Sequence, residues 1–213
     1  MKVGIIGSGV VGQTLAAGFL KHGHQVEIGT RDPAKLKDWS AKNPGAAVKS
    51  FAEAAAFGDL VVLAVGGEVA QQALTLIGSS ALQGKTVIDA CNPIGGGPPV
   101  NGVLSFFTPQ NQSLMEQLQG AYPSARFVKA FNSVGSGQMV NPEFASGRPT
   151  MFICGNDKDA KKTVERILEQ FGWDTEDMGA IEAARPIEAL CMLWCIPGIG
   201  KNDWSPRAFK LLR

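Results

Sequence analysis

Gly7-Ser8-Gly9-Val10-Val11-Gly12 is a G-x-G-x-x-G turn, and its setting constrains this chain more than any other feature. It follows a short β-rich run, residues 3–6, and opens a stretch in which Val10, Val11, Thr14, Leu15, Gly18 and Phe19 recur at helical spacing. Gly23 stops that helix and residues 25–29 supply a second strand, which closes a βαβ unit of about 30 residues. In such a unit Gly7 permits the tight turn, Gly9 lets a pyrophosphate approach the backbone, and Gly12 lets helix and strand pack closely. Free amides at the helix start then hold the anion.

The cycle repeats downstream. Pro33 opens a helix through Trp39, a short strand passes Val48, and Ser50-Phe51-Ala52-Glu53 reads as a capping box for a helix that stops at Gly58. Residues 60–65 are uninterrupted and apolar, the pattern of a strand covered on both faces in a parallel sheet. A helix over 68–77 and strands over 86–89, 126–131 and 150–154 follow, with a last amphipathic helix begun by Asp157. Residues 91–109 read as an irregular surface loop bordering a site, with Gly95-Gly96-Gly97-Pro98-Pro99 at its centre. A polar helical stretch over 113–119 comes next. Residues 187–196 are apolar nearly all round and end at Pro197, so this helix needs cover on several sides, from the sheet or from a second subunit. The alternation predicts an α/β fold: a doubly wound parallel sheet of the Rossmann NAD(P)-binding type, one domain over 1–213 with 180–213 as a C-terminal helical extension.

Charge and cysteine usage narrow the function classes. Lys and Arg number 20 against 19 Asp and Glu, so the chain lacks the basic balance of a nucleic-acid binder, and a small-molecule partner fits better. Cys91, Cys154, Cys191 and Cys195 are too scattered for a disulfide framework, which points to a reducing cytoplasm. Cys191 and Cys195 share a helical face, but no His or carboxylate cluster joins them, and no metal site is expected. Glycines at 4, 7, 9 and 12 break any signal-peptide core, and no 18-residue apolar run suggests a membrane span.

The end of the second strand selects the dinucleotide. NAD enzymes usually place an acid there for the ribose 2′-hydroxyl, whereas NADP enzymes offer cations and hydroxyls to a 2′-phosphate. Here Thr30 and Arg31 stand there, with Lys35 one turn into the next helix, and the planar Arg fork suits phosphate. NADP is favoured. Asp32 would act as the NAD-type acid if the strand ran longer; otherwise it caps the helix opened by Pro33. Ligands of open α/β sheets lie outside the carboxyl ends of the strands, which predicts a lining from Val65-Gly66-Gly67, Ala90-Cys91-Asn92-Pro93 and Asn132-Ser133-Val134. His22 and His24 lie away from that rim and read as surface residues. No catalytic acid or base stands out, and hydride transfer between two cofactors needs ring stacking more than a protein proton donor.

The glycine turn, Gly29-Thr30-Arg31-Asp32-Pro33, Val128-Lys129-Ala130-Phe131-Asn132-Ser133 and Met151-Phe152-Ile153-Cys154-Gly155-Asn156-Asp157 occur in the order seen in the F420-dependent NADP oxidoreductase family, which this chain resembles over most of its length. The pattern is also similar to the oxidoreductase domain of the STEAP metalloreductases, which passes hydride from NADPH to a flavin. The resemblance implies a Rossmann domain, often dimeric, and hydride exchange between the nicotinamide C4 and C5 of deazaflavin F420. It places Ser8, Gly9, Val10 and Val11 at the pyrophosphate and Thr30, Arg31 and Lys35 at the 2′-phosphate. It also places Val65, Val69, Ala90 and Ser136 against the cofactor, and Asn132, Ser133 and Val134 beside the nicotinamide. In the family this chain resembles, archaeal F420 enzymes carry His where this chain has Asn132, and Asn there is more like the flavin-linked and the uncharacterised bacterial members.

The expectation is therefore an NADP(H)-dependent oxidoreductase that passes hydride between NADPH and a second redox cofactor, F420 or a flavin such as FAD or FMN. The second ring would enter a cleft closed by 91–109 and 196–204. The alternatives are a non-catalytic NADP-binding or redox-sensing module, and a reductase of a small imine or hydroxy acid. A homodimer through 187–196, using Leu190, Leu193 and Trp194, is also expected.

Overall fold

The computed structural model describes residues 1–213. Six short strands, β1 (Lys2–Ile6), β2 (Gln25–Gly29), β3 (Ala46–Lys49), β4 (Leu60–Leu63), β5 (Thr86–Asp89) and β6 (Arg126–Lys129), form one parallel sheet in the order β3-β2-β1-β4-β5-β6. Each connection is a crossover through at least one helix: α1 (Val10–Lys21), α2 (Lys37–Lys42), α3 (Phe51–Phe57), α4 (Gly67–Ile77) with α5 (Ser79–Leu82), and α6 (Leu114–Ala121). This is the doubly wound α/β fold expected, with the strand order reversing between β1 and β4.

Period-two alternation divides the core. Val3, Ile5, Leu60 and Val62 join Leu15 and Phe19 of α1 on one face, while Ile6, Val61 and Leu63 join Ala54 of α3 and Leu74 of α4 on the other. Both faces are dry, which is why these strands read as continuous apolar runs. The register Ile6↔Leu63 and Leu63↔Asp89 aligns the carboxyl ends of three strands on one edge.

The second half departs from regular crossovers. After β6, the chain reaches β7 (Thr150–Ile153), α7 (Lys158–Gln170) and β8 (Asp174–Asp177), in which β7 and β8 pair in parallel as a separate two-stranded sheet. A single antiparallel bridge, with Lys129 N–H donating to the Cys154 carbonyl at 3.0 Å, ties this unit to the main sheet. The strand β8 was not anticipated, because Asp174-Thr175-Glu176-Asp177 carries no apolar signal. The last helix, α8 (Ala184–Lys201), runs through Pro197 and ends only at Asn202, which takes φ 53°. It is longer than the expected 187–196, because the prolyl nitrogen forfeits a single intrahelical bond and the outer turn continues. Its inner stripe, Ile187, Glu188, Cys191 and Gly198, is buried, whereas Leu193 on the outer face is 56% exposed.

Residues 91–109 hold no regular helix or strand, as expected of an irregular loop, yet the segment is locally ordered. Antiparallel bridges Ile94↔Phe106 and Val100↔Val103 make a hairpin whose tip is Asn101-Gly102, both at positive φ. The tip rests on the end of α8, where a Cβ on Gly102 would stand 3.0 Å from Gly200 Cα. The two segments expected to close the cleft therefore touch each other.

A clamp fixes α6 to α8. Ser113 and Glu116 form a reciprocal capping box, and Arg185 grips the same carboxylate through Nε at 3.0 Å and Nη2 at 2.6 Å. The Arg185 bonds, opposed by burial and aided by Ser113, hold the Glu116 carboxyl at about 2. Because the folded value is depressed, this stabilisation is fully present above the ordinary carboxylate range and disappears as pH falls toward 2. Melting temperatures of wild type and Arg185→Met should differ at pH 6 and converge on acidification to about pH 2. A constant gap would show that the clamp is not charge-assisted.

Candidate active site

The glycine turn sits where β1 meets α1. Gly7 has φ 129°, and a Cβ on Gly12 would lie 2.0 Å from the Gly7 carbonyl oxygen. Nothing stands within 4 Å of a Cβ on Gly9, so the face of the turn at the α1 N-terminus is open. That opening leads into a cleft of 530 Å³. Its walls are Gly9, Val10 and Val11 from the turn, Ala64, Val65, Gly66, Gly67, Glu68 and Val69 after β4, and Ala90, Cys91, Asn92 and Ile94 after β5. Gly66 and Gly67 lead into α4, where a Cβ on Gly67 would meet the Asn92 carbonyl oxygen at 2.0 Å.

At one end of the cleft, Arg31 joins Val65, Val69, Phe51 and Leu76 around a smaller pocket. Arg31 and Lys35 are exposed and make no ion pair. Thr30 is buried, and its hydroxyl lies 3.0 Å from Ser8 Oγ and accepts the Asp32 amide at 3.1 Å. It thus ties the glycine turn to the end of β2. The two readings of Asp32 are decided by geometry: β2 ends at Gly29, and the Asp32 carboxylate accepts the Ala34 N–H at 3.1 Å as the cap of the turn Pro33–Leu36.

At the other end, Asn92 and Asn132 are locked together. Asn92 Nδ2 donates to the Asn132 carbonyl at 2.8 Å, and Asn132 Nδ2 donates to Asn92 Oδ1 at 3.0 Å and to the Ile187 carbonyl at 2.9 Å. With both amide hydrogens spent, Asn132 Oδ1 is a buried acceptor without a partner. The residue before it, Phe131, is fully buried at φ 64°, a conformation costly for an aromatic residue and held only by its surroundings. Ser133 and Val134 are buried next to it, and Ser136 opens a short turn beyond Gly135, against which the Trp194 ring of α8 packs. None of Asn132, Ser133, Val134 and Ser136 is among the residues that line this cleft. His22 and His24 are half-buried away from the cleft; the His22 ring stacks on Phe171 and bonds Asn141.

Sequence reasoning missed a buried charge cluster beside the cleft. Lys129 Nζ lies 2.6 Å from Asp89 Oδ2 and 2.8 Å from Glu188 Oε1, and donates to the Cys91 carbonyl at 3.0 Å. Asp89 also accepts the Cys91 N–H at 2.9 Å, and Glu188 accepts the amides of Leu114 and Met115 at the start of α6. Burial opposes the Lys129 charge, but the two carboxylates outweigh it and raise the ammonium above its usual range. The available signal was a charge ending each of two apolar strands and another inside an apolar helix.

Comparison with known proteins gives this geometry its family. The sequence model for coenzyme F420-dependent NADP oxidoreductases matches residues 2–93, the segment that builds β1 to β5 and the cleft wall through Asn92. A solved protein from Arthrobacter sp. FB24, provisionally described as an F420-dependent NADP reductase, is 35% identical, with all of both chains covered and a TM-score of 0.93. The chain belongs to the F420-dependent NADP oxidoreductase family. The F420-dependent NADP reductase of Methanocaldococcus jannaschii is 27% identical over 209 residues, covering 91% of this chain and 90% of that one. Metalloreductase STEAP3 of Rattus norvegicus is 30% identical over 191 residues, 89% of this chain but 36% of the relative. The chain spans about a third of the length of the curated metalloreductases it matches. No helix of this family member is long and apolar enough to cross a membrane.

Proposed function

We propose that the protein is an NADPH-dependent oxidoreductase that passes hydride between the nicotinamide of NADPH and a second redox ring, coenzyme F420 in the first instance and a flavin in the second. The observation that carries this reading is the continuity of the cleft: it runs from an open glycine turn beside an unpaired Arg31 to a wall of Ala90, Cys91 and Asn92. In this reading the amides of Ser8, Gly9, Val10 and Val11 hold the pyrophosphate. Arg31 and Lys35 hold the 2′-phosphate, with Thr30 fixing the strand end. Val65, Gly66 and Val69 take the adenosine half, while Ala90 and Asn92 frame the nicotinamide, with the 132–136 segment beside that wall. NADPH supplies the hydride; the chain positions two rings and excludes water.

Residues 1–213 act in this reading as one NADP-binding unit with 180–213 as its extension. The four free thiols suit a reducing cytoplasm. The outer face of α8 around Leu193 is assigned to a homodimer contact.

The test is a panel of F420, FMN, FAD and a quinone mixed with NADPH and followed by absorbance. Oxidation of NADPH with F420 or a flavin is the expected result. NADPH binding without oxidation by any member would move the protein to a non-catalytic nucleotide-binding module.

A further inference from the structure

The buried cluster holds two carboxylates against one ammonium, and every contact made to either acid comes from a donor: Lys129 Nζ and the Cys91 N–H for Asp89, and Lys129 Nζ and two α6 amides for Glu188. Both acids are therefore used as acceptors, and the set carries an excess negative charge. The side chains of Asp89 and Lys129 are 0% exposed and that of Glu188 2% exposed, so water does little to screen it. The positive end of α6 offsets about half an elementary charge at most. Structural economy does not require this arrangement, since a single acid would have paired Lys129.

Its position gives the excess charge a use. The cluster holds Cys91 from both sides, by its N–H and its carbonyl, and Cys91 and Asn92 form the cleft wall. One residue layer separates the charge from the cleft. Burial first, then the Asp89 charge, push the Cys91 thiol well above its ordinary value, although Lys129 works the other way. A nicotinamide in the cleft changes charge during the reaction. As the C4–H bond breaks and its electron pair leaves with the hydrogen for the acceptor ring, the neutral dihydronicotinamide becomes a cationic pyridinium.

We propose that the Asp89–Lys129–Glu188 cluster, through its excess negative charge behind the Cys91–Asn92 wall, binds the oxidised nicotinamide more tightly than the reduced one and so promotes hydride release from NADPH. The inference rests on reading the cleft as the NADP site. The three residues act through space and through the wall they hold, as positioning and electrostatic residues. Preorganised charge of this kind costs no rearrangement when the ring becomes cationic.

Equilibrium binding separates this role from a structural one. Glu188→Gln and Asp89→Asn each remove a negative charge and keep an acceptor oxygen. Dissociation constants for NADP+ by calorimetry and for NADPH by fluorescence should show NADP+ weakened by about fivefold in either variant and NADPH held within about twofold. Equal weakening of both nucleotides, no change in either, or loss of folding in both variants by circular dichroism would assign the cluster to stability and overturn the proposal. Failure of the wild type to bind either nucleotide would instead overturn the site reading on which it rests.

Discussion

Arg31→Ala is expected to raise the NADPH dissociation constant by about 30- to 100-fold and to leave that for NADH nearly unchanged. The effect follows from what the end of β2 has left to offer a phosphate. Asp32 is turned away to cap the next turn, and Thr30 is buried and bonded to Ser8. Arg31 and Lys35 remain as exposed cations with no carboxylate to compete for them. A two-pronged guanidinium–phosphate contact contributes about 2–3 kcal/mol beyond what the lysine point charge supplies, which sets the fold-change through the tenfold-per-1.4 kcal/mol relation. Parallel fluorescence titrations with the two nucleotides measure it. An equal loss for NADPH and NADH would place Arg31 outside the 2′-phosphate site.

Two glycines of the same turn should separate stability from binding. An added methyl at Gly12 would meet the Gly7 carbonyl oxygen at 2.0 Å, a backbone clash that only separation of α1 from β1 could relieve. Gly12→Ala should therefore cost about 3 kcal/mol and lower the melting temperature by about 6–12 °C. At Gly9 the backbone has φ −74° and ψ 178°, ordinary for any residue, and no atom lies within 4 Å of the added methyl. Gly9→Ala should fold within about 0.5 kcal/mol of wild type yet bind NADPH at least about tenfold more weakly, because the methyl occupies the approach of the pyrophosphate. Calorimetric melting and nucleotide titration of both variants measure the contrast. A Gly9 variant that binds NADPH normally would contradict the placement of the dinucleotide on this turn.

The parts of the molecule legible from sequence are those whose physics is local. The dry strands β1, β4 and β5 announce themselves by apolar runs, and the two capping boxes at Ser50 and Ser113 form because each places an acid three residues after a hydroxyl. The hairpin over 94–106 was also legible in principle, since Asn101-Gly102 between two valines is a strong tight-turn signal, but five adjacent Gly and Pro residues obscured it. Strand β8 had no local signal: its residues are polar, and pairing with β7 determines its conformation. The charge cluster depends on register. Leu63↔Asp89 and Asp89↔Lys129 set acid and base side by side, and Glu188 arrives from a helix 59 residues further along the chain than Lys129. The unpartnered Asn132 oxygen likewise depends on the positive φ of Phe131, which no sequence pattern for an aromatic residue predicts.

Direct hydride transfer from NADPH to the acceptor ring is tested in one reaction with F420 by NADPH deuterated at the transferring C4 position. Deuterium arriving on a ring carbon of the reduced acceptor cannot be washed out by water, so mass spectrometry of recovered F420 reads the route of the hydrogen. The reduced deazaflavin should carry the label at C5, one deuterium for each NADPH consumed. Reduced F420 carrying only solvent hydrogen, or NADPH left unoxidised in the presence of F420 and flavins alike, would contradict it.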